Sequence, residues 1–438
     1  MSVLRLTQLG KLVYPDRPIT YGIVQPGPDV APEGIPLIRG KDYSSGKVDT
    51  SELYHVLPSI DKPYARSKVK AGDILLSIVG YLGQVAEVPE SMEGANITQT
   101  TARISVDPEK ACAHYLFQYF QSTAFRDEVR KFEKGSAQPG LNLSDLAKFE
   151  IHLTPRSEQT KIAEILSTVD RAISQTEALI AKQQRLKTGL MQDLLTRGID
   201  EHGNLRSEQT HQFKDSPLGR IPVDWEVKPL SHYVARLDAG VSVNADDTPC
   251  GSGQIGVLKT SALSKGLFLP LQNKSVIRED LRRVRTSPRA NTILISRMNT
   301  PALVGESAFV DRDYPDLFLP DRIWMTVFQE GKETAGKWLS FILVSSDARN
   351  YISLNATGTS GSMKNLPKKS LLNMPLRSPS CLDETQRIAE ALIRIENNGI
   401  QSASQLNIFR SLKTALMQDL LTGRKRVTDL LDKAEALA

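Results

Sequence analysis

The residues that could catalyse a reaction match no complete catalytic motif. The phosphate-binding pattern GxxxxGK[ST] is absent, which argues against ATP use by this chain. An Asn-Pro-Pro-aromatic tetrapeptide, of the kind that adenine methyltransferases use to hold a flipped base, is also absent. Gly251-Ser-Gly253 is an isolated GxG, and Glu226-Val-Lys228 fits only the ExK half of a magnesium-dependent nuclease motif. Chance explains both matches better than a cofactor site or a nuclease does.

Histidine and cysteine are equally uninformative about catalysis. The six histidines show neither HxxxH nor HExxH spacing, so surface or core roles are the default for them. Cys112, Cys250 and Cys381 are far apart and form no CxxC pair. That pattern argues against a zinc cluster and a disulfide framework, and it suits a reducing cytoplasm. These absences weaken an enzyme interpretation without excluding it, and we expect no metal ligands in this chain.

Basic side chains are better candidates, and the chemistry that they suggest is DNA binding. One segment of the second half of the chain is crowded with arginine, at Arg278, Arg282, Arg283, Arg285 and Arg289. Such a cluster can neutralise phosphates, which gives an affinity that falls steeply with salt. The alternative interpretation is a solvated charged surface that binds no partner.

Two loops, 135–140 and 357–363, are rich in Gly, Ser and Thr, and Asn-Leu follows each of them closely. Their hydroxyl groups and backbone amides could grip phosphates, and Gln138 or Lys364 could meet a base edge. Plain turns between a helix and a strand are the alternative. The full set of expected DNA contacts is Arg39, Lys41, Gln99, Arg103, Ser136, Gln138, Asn142, Arg278, Arg282, Arg283, Arg285, Arg297, Arg322, Thr359, Ser360 and Lys364.

The elements that must position these residues occur twice in the chain. The segment LKTGLMQDLLT at 186–196 recurs as LKTALMQDLLT at 412–422, and upstream residues match at the same shift of 226. Some forty residues repeat without a gap, which chance does not produce. The chain is therefore a tandem duplication.

The regions that precede these segments repeat more faintly. Arg103 matches Arg322 at a shift of 219, and Asn142 matches Asn365 at a shift of 223. The growing shift implies small insertions in the second copy. Because the helical parts stayed alike while the globular parts diverged, we infer one shared role for the helices and two different roles for the globular regions.

Residues 157–196 and 383–422 are predicted to form two long helices. Apolar residues recur every seven positions in two interleaved series, which makes a coiled-coil-like seam with a polar middle. An antiparallel pair within the chain is the simplest arrangement, because an exposed apolar stripe of that length would be a liability. The alternative is a seam that meets a helix of another protein. The residues expected to dock a partner are Leu186, Leu190, Met191, Leu194, Leu412, Leu416, Met417 and Leu420.

The globular regions are predicted to be mixed and strand-rich. Short apolar runs at 73–79, 102–106 and 292–296 are typical of strands, and 114–132 and 335–352 of helices. The predicted fold class is α/β (α+β), with two similar domains separated by two long antiparallel helices in a pseudo-two-fold repeat. The predicted boundaries are a first domain at 1–154, a first long helix at 155–198, a linker at 199–223, a second domain at 224–380, a second long helix at 381–424 and a tail at 425–438.

Composition sets the outer limits. Hydrophobic residues make up 40% of the chain and charged residues 24%, an ordinary globular balance. No apolar run approaches the ~20 residues that a membrane helix needs, so we expect a cytoplasmic protein. Lys and Arg outnumber Asp and Glu by 55 to 50, which is compatible with a nucleic-acid partner without proving one.

At this point the chain resembles the specificity subunit of type I restriction–modification enzymes over essentially its whole length. The resemblance rests on the duplication, on the helix ends at 186–198 and 412–424, and on the helix starts EQTKIAEILSTVD at 158–170 and ETQRIAEALIRIE at 384–396. The segment 216–227 also resembles the family. One departure is that the first half begins almost at Met1 and lacks an obvious counterpart of Trp225.

The resemblance implies two target-recognition domains, each reading one half of a split, asymmetric DNA sequence. It implies two long helices that set the number of unread base pairs between the halves, and a subunit without catalytic residues. It also implies docking of two methyltransferase (modification) subunits and, in the full assembly, restriction subunits that act as ATP-driven nuclease–translocases. S-adenosylmethionine, ATP and magnesium would belong to those partners, and none to this chain.

Two other interpretations stay open. The first is a stand-alone two-domain DNA-binding protein such as a regulator. Two features favour partner docking over this interpretation: the repeated helix ends and the polar seam positions Thr176, Gln183, Ser402 and Lys413. The second is a structural adaptor that does not touch DNA. An enzyme acting alone is the weakest interpretation. Which bases are read does not follow from the sequence, because base contacts depend on geometry that no spacing rule supplies.

Overall fold

A computed structural model describes residues 5–44, 46–132, 140–358 and 362–430 of the chain. The chain divides into two compact units. The first unit comprises 1–178 with 403–438, and the second comprises 179–402. Each unit therefore contains one globular region together with parts of both long helices.

The first unit is built on a mixed, mostly antiparallel sheet with a smaller sheet beside it. The strands of the six-stranded sheet are, in order, Thr20–Tyr21, Thr101–Ile104, Ile74–Ser77, Val85–Glu87, Gly46–Val48 and Tyr43–Ser44. A three-stranded sheet has the order Tyr54–Val56, Ile35–Ile38 and Asn96–Ile97, and Arg5–Gln8 pairs with Glu150–Leu153. The α-helices are Pro58–Asp61, Ala113–Phe120, Thr123–Phe132 and Leu143–Leu146, and the 3-10 helices are Leu9–Lys11, Lys62–Ser67 and Glu90–Met92.

The second unit repeats this plan. One four-stranded sheet has the order Val234–Ala239, Ile323–Phe328, Thr292–Ser296 and Ser307–Val310, and another has the order Ala245–Asp246, Asn273–Val276, Gly256–Leu258 and Leu317–Phe318. Paired short strands are Phe213–Lys214 with Ile221–Pro222, Glu226–Pro229 with Pro375–Ser378, Leu263–Ser264 with Leu267–Phe268, and Met298–Asn299 with Lys364–Asn365. The α-helices are Gly336–Leu343, Ser346–Asn355 and Lys368–Leu372, and the 3-10 helices are Leu230–His232, Thr260–Ala262, Arg278–Asp280 and Glu333–Ala335.

The predicted α/β fold class is confirmed, and so are the two long helices, which run over Arg156–Thr196 and Leu382–Leu421. Within the first unit the two helices are antiparallel, because Asp170 pairs with Lys413 at 2.7 Å and Glu177 pairs with Arg410 at 2.8 Å. Within the second unit they are antiparallel as well, because Lys187 pairs with Glu396 at 2.8 Å and the Ile199 N–H, just after the first helix, donates to Glu384 at 3.2 Å.

The predicted helical stretches 114–132 and 335–352 are each two helices rather than one. The break lies at Ser122 in the first unit and at Ser345 in the second. The Ser122 hydroxyl accepts the Phe125 N–H at 3.2 Å, and the Ser345 hydroxyl accepts the Ala348 N–H at 3.4 Å. A serine that satisfies a free N–H at the start of a helix favours a new helix start over continuation.

The strand register corrects two of the sequence matches. Ser77 pairs with Thr101 in the first unit, whereas Ser296 pairs with Ile323 in the second. The equivalent of Arg103 is therefore Met325, because these two residues pair with Leu75 and Leu294 at corresponding positions. Arg103 and Arg322 are not equivalent. The second unit has three additional residues between its central strands, so the numbering shift between equivalent residues grows from 219 at Ser77 and Ser296 to 222 at Arg103 and Met325.

The match of Asn142 with Asn365 is wrong for a similar reason. The Leu141 N–H donates to the Ile78 carbonyl, and the Leu366 N–H donates to the Arg297 carbonyl, both at 2.9 Å. Leu141 and Leu366 are thus equivalent, so Gly140, and not Asn142, corresponds to Asn365.

Candidate nucleic-acid interface

Several chain connections of the first unit meet at one end of its sheets. The Thr98 N–H donates to the Ile38 carbonyl at 3.2 Å, and the Ile78 N–H donates to the Thr100 carbonyl at 2.9 Å. The connections that follow these strands therefore lie side by side, and Leu141 joins them through Ile78. We call the residues 39–41, 78–80, 98–100 and 140–142 the first edge. It contains the predicted DNA contacts Arg39, Lys41, Gln99 and Asn142.

Three of these four side chains are available to a ligand. Lys41, Gln99 and Asn142 are exposed, and their side chains make no hydrogen bond or ion pair with the described part of the chain. The Arg39 guanidinium is instead held by Asp42, with Nε 2.8 Å from Oδ2, and lies 5.1 Å from the centre of the Tyr54 ring. The hydrogen bond to the Asp42 carboxylate raises the pKa of Arg39. Arg39 therefore fixes the loop that carries Lys41.

Arg103 is a structural residue. Its side chain is 2% exposed, and its guanidinium donates to the carbonyls of Arg66 at 2.6 Å, Lys68 at 3.1 Å and Pro18 at 3.2 Å. Burial lowers the pKa of Arg103. The prediction that Arg103 contacts DNA is corrected, because the residue lies inside the fold in the register position of Met325.

The corresponding end of the second unit carries more cationic and amide side chains. The Arg297 N–H donates to the Arg322 carbonyl at 2.8 Å, and Asn299 pairs with Lys364 across a short ribbon. We call 297–299, 322 and 364–366 the second edge. The Arg297 Nε donates to Asn365 Oδ1 at 3.3 Å, and the Lys364 Nζ donates to the Gly358 carbonyl at 3.1 Å. Arg322 is exposed, and its side chain has no such partner among the described residues.

One backbone hydrogen bond ties the segment of the predicted arginine cluster to the chain that leads to Arg322. Thr286 follows Arg285 in the chain, and its carbonyl accepts the Leu319 N–H at 2.8 Å. Leu319 lies three residues before Arg322. The exposed arginines of this segment that have no hydrogen bond or ion pair within the described ranges are Arg278, Arg282, Arg285 and Arg289.

Arg283 has a different role from its neighbours. It pairs with Asp280 at 2.8 Å and donates to the Ser242 carbonyl at 3.0 Å. The pKa of Asp280 is lowered, first by the Asn244 N–H and then by the Arg283 hydrogen bond. Arg283 therefore anchors the segment, while the other arginines are free to meet phosphates.

Two lysines that the sequence did not single out also lie near this interface. Lys259 directly follows strand Gly256–Leu258, as Arg39 directly follows Ile35–Ile38. Lys259 and Lys274 each lie 3.0 Å from Asp247 Oδ1 and lower the pKa of that carboxyl. In the sequence, a basic residue directly after a short apolar run, as at Arg39, is the pattern that could have identified Lys259.

Four predicted contacts, Ser136, Gln138, Thr359 and Ser360, lie outside the residues that the structure describes. These four residues belong to the two Gly- and Ser-rich loops, and their contact with DNA stays a prediction.

The residues predicted to dock a partner divide into two groups. Leu186, Leu190 and Leu412 are exposed by 52%, 38% and 44%. Leu194 belongs to the core of the second unit, and Met417 and Leu420 belong to the core of the first. Met191 and Leu416 are partly buried against the same cores. Leu194, Met417 and Leu420 are therefore corrected to core residues, whereas the exposed leucines are accessible to a partner.

The isolated enzyme-like motifs have local structural roles. Glu226 and Lys228 pair with each other at 3.2 Å within strand Glu226–Pro229. Gly251 opens a turn in which its carbonyl accepts the Gln254 N–H at 3.1 Å. In the described ranges, no group of three or more His, Cys, Asp or Glu side chains could hold a metal ion, and no helix is long and apolar enough to cross a membrane.

Comparison with known proteins defines the class of this fold. Residues 31–184 match the family model of the type I restriction modification DNA specificity domain. A solved structure of the type I restriction-modification S subunit of M. genitalium has the same fold, with a TM-score of 0.59 at 13% identity, over 96% of this chain and 97% of that one.

Two curated relatives extend the match. The EcoBI specificity subunit of Escherichia coli is 32% identical over 189 residues, which are 42% of this chain and 40% of that relative. The MjaVIII specificity subunit of Methanocaldococcus jannaschii is 27% identical over 366 residues, 83% of this chain and 81% of that relative. The chain thus spans less than half of the first relative and most of the second. These matches agree with the resemblance to type I restriction–modification specificity subunits that the sequence predicts, and residues 31–184 match the specificity domain of that family.

Proposed function

We propose that this chain is the non-catalytic DNA-specificity subunit of a type I restriction–modification complex. Each unit reads one half of a split, asymmetric target. The observation that carries the proposal is that two units share one backbone plan yet present different side chains at the same sheet end. The first edge offers Lys41 and Gln99, and the second offers Arg322, with the segment of the arginine cluster tied to the chain that leads to it.

The long helices support docking of two copies of one partner. Leu186 and Leu412 are separated by the 226-residue repeat shift and are both exposed, by 52% and 44%. Equivalent exposed leucines on similar helices fit two identical subunits bound with approximate two-fold symmetry. These partners are methyltransferase subunits, through which restriction subunits join. S-adenosylmethionine, ATP and magnesium bind to the partners.

A methylation map of a bacterial genome tests this function. The strain carries the partner methyltransferase, with and without the gene for this chain. A split motif with a fixed gap should gain N6-methyladenine only when this chain is present. An unchanged map, with both proteins expressed and the methyltransferase active, would contradict the proposal and favour a stand-alone DNA-binding protein.

A further inference from the structure

The turn between the two central strands is longer in the second unit than in the first. Seven residues, 78–84, follow Ser77 before strand Val85–Glu87, whereas ten residues, 297–306, follow Ser296 before strand Ser307–Val310. The longer turn allows Met298–Asn299 to pair with Lys364–Asn365 as a two-stranded ribbon. At the same place the described part of the first unit has a bridge between Val79 and Gly140.

The backbone hydrogen bonds allow the side chains of the two edges to be compared position by position. The Ile78 N–H donates to the Thr100 carbonyl, and the Arg297 N–H donates to the Arg322 carbonyl. Thr100 and Arg322 are therefore equivalent, each one residue before a buried strand residue that pairs with Ser77 or Ser296. The second unit thus places a guanidinium where the first places a small hydroxyl.

Arg322 differs from the other arginines close to it. The Arg297 Nε is bound to Asn365, and Arg349 donates to the carbonyls of Val304 and Ala302, both at 2.9 Å. Arg322 alone of these three has a side chain without a partner in the described part of the chain. Its backbone is nevertheless rigid, because its carbonyl accepts the Arg297 N–H and the following residue, Ile323, is fully buried.

A free guanidinium on a rigid backbone beside a two-stranded ribbon suits the major groove of DNA. That groove is wide enough for such a ribbon, and arginine donates two hydrogen bonds to guanine O6 and N7 there. A side chain that reads a base must be held within about half an ångström of its working position, which a strand end achieves better than a loose loop.

We propose that Arg322 reads a guanine of the half-site bound by the second unit, with the ribbon entering the major groove beside it. This proposal rests on the proposed function. The first unit has no guanidinium at the equivalent position, Thr100, so its half-site is read by other residues. The three-residue insertion is then a specificity element and not a neutral change of loop length.

The test compares Arg322→Lys with the unmodified chain in the assembled methyltransferase. Lysine keeps the charge for a phosphate contact but loses the two parallel hydrogen bonds to guanine. Binding is measured against the mapped target and against targets in which each base pair of both halves is replaced in turn. We expect affinity for the cognate target to fall about 10- to 100-fold, and discrimination to be lost at one G·C pair of one half.

Arg278→Ala is the matched control, since Arg278 is an exposed arginine of the same unit with no partner among the described residues. It should weaken binding to all targets alike and relax no position. If Arg322→Lys weakens binding uniformly and keeps discrimination at every position, Arg322 contacts phosphate and the proposal is wrong. A mapped target in which neither half-site contains a G·C pair overturns the proposal as well. Failure of the unmodified chain to direct any split motif would instead contradict the proposed function.

Discussion

Two glutamates at repeat-equivalent positions, Glu158 and Glu384, fix the starts of the long helices. Glu158 accepts the Arg426 guanidinium in the first unit, with Nε 2.7 Å from Oε2. Glu384 accepts the Trp225 Nε1–H at 3.1 Å and the Ile199 N–H at 3.2 Å in the second unit. Both carboxylates are almost completely buried. Arg206 also donates to Glu384, at 3.3 Å. An arginine thus ties each helix start to its own unit, and two further N–H donors do so in the second unit.

Removing the Glu384 carboxylate should destabilise the second unit. Glu384→Ala leaves two buried N–H donors without an acceptor, so we expect the free energy of unfolding to fall by about 2 kcal/mol or more. All three tryptophans, Trp225, Trp324 and Trp338, lie in the second unit, so urea unfolding followed by tryptophan fluorescence reports on that unit. Glu390→Ala, on an exposed position of the same helix, is the control and should change little. Equal stability of the two variants would contradict the assigned role.

The stability of the second unit should also depend on pH through Glu384. Burial raises the pKa of Glu384 above 4.5, more than the Trp225 and Arg206 contacts lower it. The folded protein therefore holds this proton to higher pH than the unfolded chain does, and the associated stabilisation is lost as the pH rises through the folded pKa. Relative to the unmodified chain, Glu384→Gln should gain stability between pH 4.5 and pH 7. If the difference in free energy of unfolding between Glu384→Gln and the unmodified chain stays constant over this range, Glu384 does not titrate there.

At the scale of elements, the heptad pattern predicts most of the buried face of the long helices. Ile162 and Leu166 lie in the core of the first unit, and Ile388 and Leu392 in the core of the second. Leu190, which the same pattern places in the seam, is exposed by 38%. Near the helix ends the buried face turns toward the globular part of each unit, and some seam positions stay exposed.

Substitution of the exposed leucines tests the docking role of these helices. Leu186→Glu and Leu412→Glu should each reduce the number of bound methyltransferase subunits from two to one, and the double variant should bind none. Because both leucines are about half exposed, the free energy of unfolding should change by about 0.5 kcal/mol or less. Mass measurement of the purified complex gives the stoichiometry.

The control for docking is Leu354→Glu, at a leucine that is 85% exposed on helix Ser346–Asn355. It should leave two methyltransferase subunits bound. Retention of both subunits by the double variant would exclude the leucines from the docking surface.

At the scale of the whole molecule, the duplicated units have diverged inside as well as at their edges. Phe125 is fully buried and packs on Phe120 with ring centres 4.7 Å apart. The equivalent residue of the second unit is Ala348, as the serine contacts at the helix starts define. There a groove of about 840 Å³ lies beside Ala348. Each unit thus has its own core packing.

Separate cores predict that the globular regions can be exchanged independently. Replacing 224–380 with the corresponding region of a type I specificity subunit should change one half of the methylated motif and leave the other half as it was. The reason is that no cluster of buried apolar side chains in the described ranges mixes residues of the two units. Methylation mapping gives the result. A change in both halves would mean that the units do not read DNA independently, and the predicted boundaries would need revision.

The sequence by itself determined the duplication, the two long helices and the resemblance to type I specificity subunits. Each rests on local periodicity or on repeated segments such as LKTGLMQDLLT and LKTALMQDLLT, which need no knowledge of distant contacts. It also placed the core strand Thr292–Ser296 correctly, since a short apolar run suffices for that.

Only the tertiary structure decided which arginines are free and which positions are equivalent. Arg103 and Arg322 look alike in sequence, yet strand register buries the first against three carbonyls and leaves the second exposed. Arg283 differs from Arg282 only through Asp280 and the Ser242 carbonyl. Register and burial depend on contacts between residues far apart in the chain. A three-residue insertion changes the numbering offset between equivalent residues after it, and no local pattern in the sequence records that change.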